Sequence, residues 1–261
     1  MPDNELAQRS DAPVAVEVGE TASSLTEAAK KPPPRTAPKW ELDARDRLKA
    51  AIRRFTKPLS DLADRDANEG DTRLLVTDFL CEALGFDKYS DLTTEYQVRG
   101  EFADYGVRID KELIAFIEVK RVATKLTPRH LRQVEMYAVN EGVEWVLLTN
   151  GAVWQVYHLT GGLPVVIDLA LEANLLSDQT AAQKANQLFY LTRESLKRRR
   201  IDELWKAKRA TSPKSLSEVL VSESVADAIR KELRRRTGHN VESEEIVRLL
   251  RETVLRPECL G

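Results

Sequence analysis

Glu118 and Lys120 lie at the end of an apolar run that starts at Leu113 and has the character of a strand. Because strand side chains alternate, both charged side chains project from the same face of the sheet, about 7 Å apart. Burying a carboxylate without a partner is costly, so a charge in this position needs compensation. The Glu-x-Lys pattern is common, however, and it fits equally a strand that leaves the core and pairs its two charges in solvent.

Asp104 adds a second carboxylate to the same place. It lies near the start of the preceding predicted strand, and a turn at residues 110–112 brings the chain back past it, opposite a residue close to Glu118. Two carboxylates this close require a cation, and hard oxygen donors on a rigid sheet suit Mg²⁺. A magnesium ion beside a lysine can catalyse phosphoryl transfer. The metal polarises the phosphate and lowers the pKa of a water molecule, and the lysine steadies the nucleophile or the developing negative charge.

Hydrophobic periodicity predicts the elements that position these residues. Side chains of residues 103–109 are expected on alternate faces of a strand, with Ala103 and Tyr105 on one face and Asp104 on the other. Asn150-Gly151 strongly predicts a hairpin turn. Helices are predicted over residues 42–55, 69–84 and 127–140, and the chain is expected to be helical from Gln179 onward, with helices at 225–236 and 244–254. Strands are predicted over residues 93–98, 103–109, 113–120, 143–149, 153–159 and, as a short edge strand, 165–169.

This order of elements predicts an α/β fold, in which a mixed central β-sheet is flanked by helices and followed by a helical C-terminal extension. Residues 1–39 mix proline, alanine and charged residues without periodicity, which is typical of a disordered tail. We expect the α/β domain over residues 40–170 and the basic helical extension over residues 171–261.

The composition excludes several classes of protein. The mean hydropathy is -0.40, no apolar run approaches the roughly 18 residues of a spanning helix, and the N-terminus lacks the pattern of a secretory signal. The two cysteines form no disulfide framework and share no ligand spacing with the three histidines, so we expect a cytoplasmic protein without a zinc site. The sequence contains no G-x-x-x-x-G-K-[ST] loop, so we expect no ATPase motor and no ATP.

The C-terminal third is rich in basic residues, including the runs at residues 197–200 and 234–236. Such runs can bind the phosphates of a nucleic acid, or they can simply form solvated helix faces. Phe189, Leu204 and Trp205 suggest an apolar face there, for packing or for a homodimer through the C-terminal helices.

The order helix, Asp104, about a dozen residues, Glu118-x-Lys120 and helix resembles the PD-(D/E)XK nuclease superfamily. More narrowly, it resembles the N-terminal nuclease domain of the type I restriction enzyme R subunit. Four further segments carry this closer resemblance: the E-x-x-T-R helix start at residues 69–73, residues 95–98, the Q-x-x-x-Y pattern at residues 133–137, and the T-N-G hairpin at residues 149–151 with Trp154 and Tyr157. Ala103 replaces the proline of the superfamily's name, although this subfamily often lacks it.

The resemblance implies a role for each matching residue. Asp104 and Glu118 would bind the metal, together with the carbonyl of Val119, and Lys120 would be the catalytic lysine. Glu69 would hold the metal through water or serve a second ion; alternatively, it is a carboxylate favoured by the helix dipole.

The remaining matching residues have two interpretations each. Gln133 would orient Lys120 or a phosphate, or is an ordinary exposed glutamine. Tyr137 fits a core position better than a catalytic one. Arg73 and Arg121 would contact phosphate or pair with nearby carboxylates.

Two hypotheses for function follow from the resemblance. The first is a Mg²⁺-dependent DNA endonuclease, with Mn²⁺ as a substitute metal, that hydrolyses phosphodiester bonds in restriction or defence. The second is a catalytically inactive nuclease-fold protein that binds nucleic acid or serves in assembly.

Overall fold

The computed structural model describes residues 37–98, 101–161 and 165–259. Residues 1–36, the main part of the predicted tail, lie outside the described residues. The division of the chain at residues 39 and 170 stays a prediction. Within the described residues, no helix is long and apolar enough to cross a membrane.

Six strands form one sheet whose spatial order is the order of the sequence. Neighbouring strands are antiparallel except β3 and β4, which are parallel, so the predicted mixed sheet flanked by helices is confirmed. The strands are β1 (Leu92–Val98), β2 (Glu101–Ile109), β3 (Glu112–Val119), β4 (Trp145–Thr149), β5 (Val153–Thr160) and β6 (Val166–Asn174).

Helices α1 (Lys39–Asp64) and α2 (Glu69–Glu82) pack on one face of this sheet. The helix α1 buries a stripe that repeats every three or four residues, and it continues through Pro58 because Leu59 and Leu62 beyond the proline are buried. Asn68 caps α2 by accepting a hydrogen bond from the Asp71 N–H at 2.8 Å. These two helices cover the face that carries Tyr105 and Ile117.

Helix α3 (Arg132–Glu141) follows a 3₁₀ turn over Pro128–Leu131, links β3 to the parallel strand β4, and packs on the opposite face. Ala103 joins the core on this opposite face, whereas Tyr105 packs on the α1 and α2 face. The expectation that Ala103 and Tyr105 share a face is therefore wrong. The alternation breaks between them, at the level where Glu95 of β1 has a φ of 50°.

The predicted helical C-terminal third is observed. It contains α4 (Ala181–Leu188), α5 (Arg193–Lys197), α6 (Arg200–Ala210), α7 (Pro213–Leu220), α8 (Glu223–Thr237) and α9 (Ser243–Leu249), which ends in a π turn over Leu250–Val254. Phe189 is fully buried against Trp40, and Trp205 stacks on His158, so both pack within the chain. The large apolar side chains exposed further along, among the described residues, are those of Leu216, Val219, Leu220, Leu249 and Val254. A homodimer through these helices stays a prediction.

Strand β6 is longer than the predicted edge strand over residues 165–169. Its nine residues pair with β5, and on its far side the Lys208 Nζ of α6 donates hydrogen bonds to the carbonyls of Leu169 (2.8 Å) and Ala170 (3.1 Å). The lysine therefore occupies two acceptors that an edge strand would otherwise expose.

Helix α5 is tied to the sheet by a buried ion pair. The Arg193 Nε lies 2.6 Å from the Asp91 Oδ2, whose side chain is 3% exposed just before β1. The Arg193 N–H also donates to the Leu84 carbonyl at 2.9 Å. Residues beyond 170 therefore contribute to the same core as the sheet.

Replacing Arg193 by alanine should leave the buried Asp91 carboxylate without its cation. We expect a loss of about 3 kcal/mol in the free energy of unfolding, measured by urea denaturation. Arg248→Ala, which removes an exposed ion pair with Glu245, is the control and should cost less than about 1 kcal/mol. Equal losses in the two variants would contradict this account of α5.

Candidate active site

Asp104 and Glu118 lie level with each other on adjacent strands. The antiparallel register pairs Tyr105 with Ile117, which are the chain neighbours of Asp104 and Glu118. Each of the two carboxylate side chains is 10% exposed. The Asp104 Oδ2 accepts a hydrogen bond from the Val119 N–H at 2.7 Å, which fixes the carboxylate against the end of β3.

A cation accompanies each carboxylate. The Lys120 Nζ lies 2.5 Å from the Glu118 Oε1, and the Arg73 Nη2 lies 2.8 Å from the Asp104 Oδ1. Of the two alternatives for Arg73, the structure shows the ion pair with a carboxylate. The other arginine, Arg121, pairs with Asp66 at 3.3 Å on the surface.

Burial sets the acid–base properties of this cluster. It raises the pKa of Asp104 and of Glu118, against the opposing effects of the Val119 N–H and Arg73 on the first and of Lys120 on the second. The negative charge of Glu69 adds to both increases.

For Lys120, burial acts to lower the pKa, but the hydrogen bond and charge of Glu118 outweigh it and the pKa is raised. The Lys120 side chain is therefore an ammonium at neutral pH, suited to stabilising negative charge rather than to accepting a proton.

The start of α2 presents three residues of the E-x-x-T-R segment to the site. Glu69 acts on the site through its charge, and Arg73 pairs with Asp104. The Thr72 Oγ1 accepts a hydrogen bond from the Val122 N–H at 3.1 Å and donates one to the Asn68 carbonyl at 2.9 Å. Because residues three and four apart share a helix face, one turn of α2 serves all three contacts. The role of Thr72 could not be assigned from the sequence.

The T-N-G hairpin supports the backbone that follows Lys120. The Thr149 carbonyl accepts a hydrogen bond from the Lys120 N–H at 2.7 Å. The Asn150 Nδ2 donates to the carbonyls of Val122 (3.1 Å) and Thr124 (3.0 Å), while its Oδ1 accepts from the Val153 N–H at 2.7 Å. Asn150 is thus a positioning residue for the loop after Lys120, although the sequence identified it only as part of a turn.

Gly151 is required where the hairpin meets α1 and α2. Its φ of 82° is a left-handed conformation, and an added Cβ would lie 3.2 Å from the Leu59 Cδ1. The third residue of the T-N-G motif therefore lets the hairpin approach α1 and also α2, the helix that carries Glu69 and Arg73.

Two residues of the sequence analysis have side chains outside the described part of the structure. Gln133 and Tyr137 lie on α3, which follows the loop after Lys120, but only their backbone is described. Their roles stay predictions.

The oxygen donors of this site suit a small hard cation. Among the described residues, no group of three or more His, Cys, Asp or Glu side chains forms a metal-ligand set. Mg²⁺ does not need one, since it is commonly held by one or two carboxylates and keeps several waters. Asp104 and Glu118 supply two carboxylates. Each already binds a cation, Arg73 and Lys120 respectively, so this position attracts positive charge.

Comparison with known proteins supports one family resemblance. Residues 68–163 match the family model for the type I restriction enzyme R protein N terminus. The matched segment begins at the Asn68 cap of α2 and runs past β5, so it contains every residue of the site described above. Neither the curated proteins nor the solved structures gave a match.

The raised pKa of Glu118 makes a prediction about stability and pH. The folded-state pKa of Glu118 is raised above its ordinary value of 4.5. The folded protein therefore loses stability as the pH rises from 4.5 through the raised value, because ionisation of this carboxyl group is less favourable in the folded state. Without divalent metal, Glu118→Gln should therefore be more stable than the wild type at pH 8, and the difference should vanish toward pH 4. Urea denaturation across this range measures it, with Glu112→Gln at the exposed start of β3 as the control. A Glu118→Gln variant that is less stable at pH 8 than at pH 4, relative to the wild type, would contradict it.

Proposed function

We propose that the protein is a metal-dependent phosphodiesterase that cleaves DNA as an endonuclease. The observation that carries the proposal is the meeting of Asp104, Glu118 and Lys120 at the ends of two adjacent strands, under the first turn of α2. The similarity of residues 68–163 to the N terminus of a restriction enzyme subunit supports a restriction or defence role and a DNA substrate.

In this proposal Asp104 and Glu118 hold Mg²⁺, or Mn²⁺ in its place, with the Val119 carbonyl as a further donor and Glu69 acting through water. The bound metal polarises the scissile phosphate and lowers the pKa of the attacking water. Asp104 is already oriented by the Val119 N–H, so the metal-binding oxygens are preorganised.

Lys120 serves this reaction as a cation. Its ammonium group stabilises the negative charge that develops on the phosphate, in keeping with its raised pKa. Gln133, on the following helix, would orient Lys120 or a phosphate oxygen.

Cleavage assays with plasmid, linear and single-stranded DNA test the proposal. With Mg²⁺ or Mn²⁺ the wild type should cleave at least one of these DNAs, and a chelator should abolish cleavage. Glu118→Gln and Lys120→Met should each lower the rate by about 100-fold or more, because each removes charge stabilisation in the transition state. Glu112→Gln, on the same strand, should retain the wild-type rate.

The alternative is a catalytically inactive protein that retains the nuclease fold. The observation in its favour is that Arg73 and Lys120 already neutralise both carboxylates without a metal. In that case the protein binds nucleic acid or serves in assembly. A wild type as inert as its two variants under every condition would favour this second function over the nuclease.

The basic helix α8 makes a separate prediction about DNA binding. It ends in Arg234, Arg235 and Arg236, of which the last two share Glu232. If they bind phosphates, replacing all three by glutamine should weaken DNA binding and reduce the slope of log affinity against log salt by about 2. Fluorescence anisotropy in chelator measures both quantities.

The matched control for α8 removes three cations from α1 by Lys49→Gln, Arg53→Gln and Lys57→Gln. If both variants lose the same affinity, DNA binding depends on net charge, and α8 is not a specific contact surface.

A further inference from the structure

Arg73 pairs with Asp104 in the structure, but the proposed reaction gives it no role. Its Nη2 binds the Asp104 Oδ1 at 2.8 Å, and its Nη1 lies 3.8 Å from the Glu95 Oε1. Its Nε is buried and has no hydrogen-bond partner among the described residues. A buried donor without an acceptor is costly, so this edge of the guanidinium is suited to a partner that arrives from outside the chain.

Several contacts that dock α2 do not involve the Arg73 side chain. The Tyr105 hydroxyl donates to the backbone carbonyl of Arg73 at 3.2 Å and lies 2.8 Å from the Thr77 hydroxyl. Thr72 adds the hydrogen bond from the Val122 N–H. The side chain of Arg73 is therefore available for a task other than holding the helix in place.

The oxygen that Arg73 occupies is the one a metal would need. The Asp104 Oδ2 is already engaged by the Val119 N–H, which leaves the Oδ1 as the oxygen that faces Arg73. A guanidinium and a divalent cation at the same oxygen repel each other strongly in a site that is largely screened from water. The two cations are thus alternatives at Asp104.

We propose that Arg73 and the metal compete for Asp104, and that the displaced Arg73 binds a phosphate of the substrate. This inference rests on the metal site of the proposed function. When the Nη2 leaves Asp104, it joins the unpartnered Nε to form an edge with two parallel donors, which matches a phosphate. The exposed Glu95 carboxylate, near the Nη1, then keeps the guanidinium beside the site during the exchange. Arg73 thus pairs with Asp104 when the metal is absent and binds the substrate phosphate when the metal is present.

Manganese binding without DNA tests the competition, using the full-length protein and Arg73→Met. In the wild type, Mn²⁺ must displace Arg73 from Asp104. The Arg73→Met variant should therefore bind Mn²⁺ about tenfold more tightly, as measured by electron paramagnetic resonance. Arg65→Met, which removes a cation that pairs with Asp71 near the start of α2, is the matched control and should leave the affinity unchanged. Arg73→Gln is a second variant of the same kind, and thermal unfolding without metal verifies that each variant is folded.

Binding of DNA tests the second half of the proposal. With Ca²⁺, Arg73→Met should bind duplex DNA several-fold more weakly than the wild type, and the salt slope should fall by about 1, as for the loss of one phosphate contact. Tighter Mn²⁺ binding together with weaker DNA binding supports the proposal.

Two results would overturn the proposed competition, and they distinguish its failure from failure of the metal site. If neither the wild type nor the Arg73 variants bind Mn²⁺, the metal site of the proposed function fails, and the inference fails with it. If the wild type binds Mn²⁺ and both Arg73 variants bind it equally or more weakly, the competition alone is wrong and the metal site stands.

Discussion

The structure around the site depends on one electrostatic constraint: two largely buried carboxylates face each other on adjacent strands. Burial raises the pKa of both carboxyl groups, and the charge of Asp104 raises the pKa of Glu118 further. Positive charge next to Asp104 and Glu118 offsets this penalty. Arg73 and Lys120 supply it in the structure described. Helix α2 carries Arg73, and Lys120 directly follows the end of β3, so these two elements place the positive charges beside the carboxylates.

The sheet provides only part of the positioning. Strand pairing fixes the level of Asp104 and Glu118, but the backbone beyond Lys120 leaves the sheet and needs other support. Thr72 from α2 and Asn150 from the hairpin both bind the loop that contains Val122. Two segments that are distant in sequence from the loop thus hold it, and each does so with hydrogen bonds to its backbone.

The sequence predicted the parts of this arrangement that follow from periodicity. The position of the turn after β2 predicted that Asp104 would lie opposite a residue close to Glu118, and the structure pairs their chain neighbours Tyr105 and Ile117. Features that depend on tertiary packing could not be predicted in this way. The helix α1 continues through Pro58 because of the residues buried beyond it, and Ala103 changes face where Glu95 adopts a positive φ. The partner of Arg73 stayed open because side-chain pairing across elements leaves no periodic signal.

If the protein is the nuclease proposed above, the hydrogen bonds of Asn150 have a consequence for how its activity can be lost over evolution. A substitution at Asn150 or Gly151 would leave Asp104, Glu118 and Lys120 unaltered while releasing the loop after Lys120. A gene carrying such a change would still encode every group that does chemistry. A loss of the proposed activity that began at Asn150 or Gly151 would therefore escape a search for substitutions at Asp104, Glu118 and Lys120.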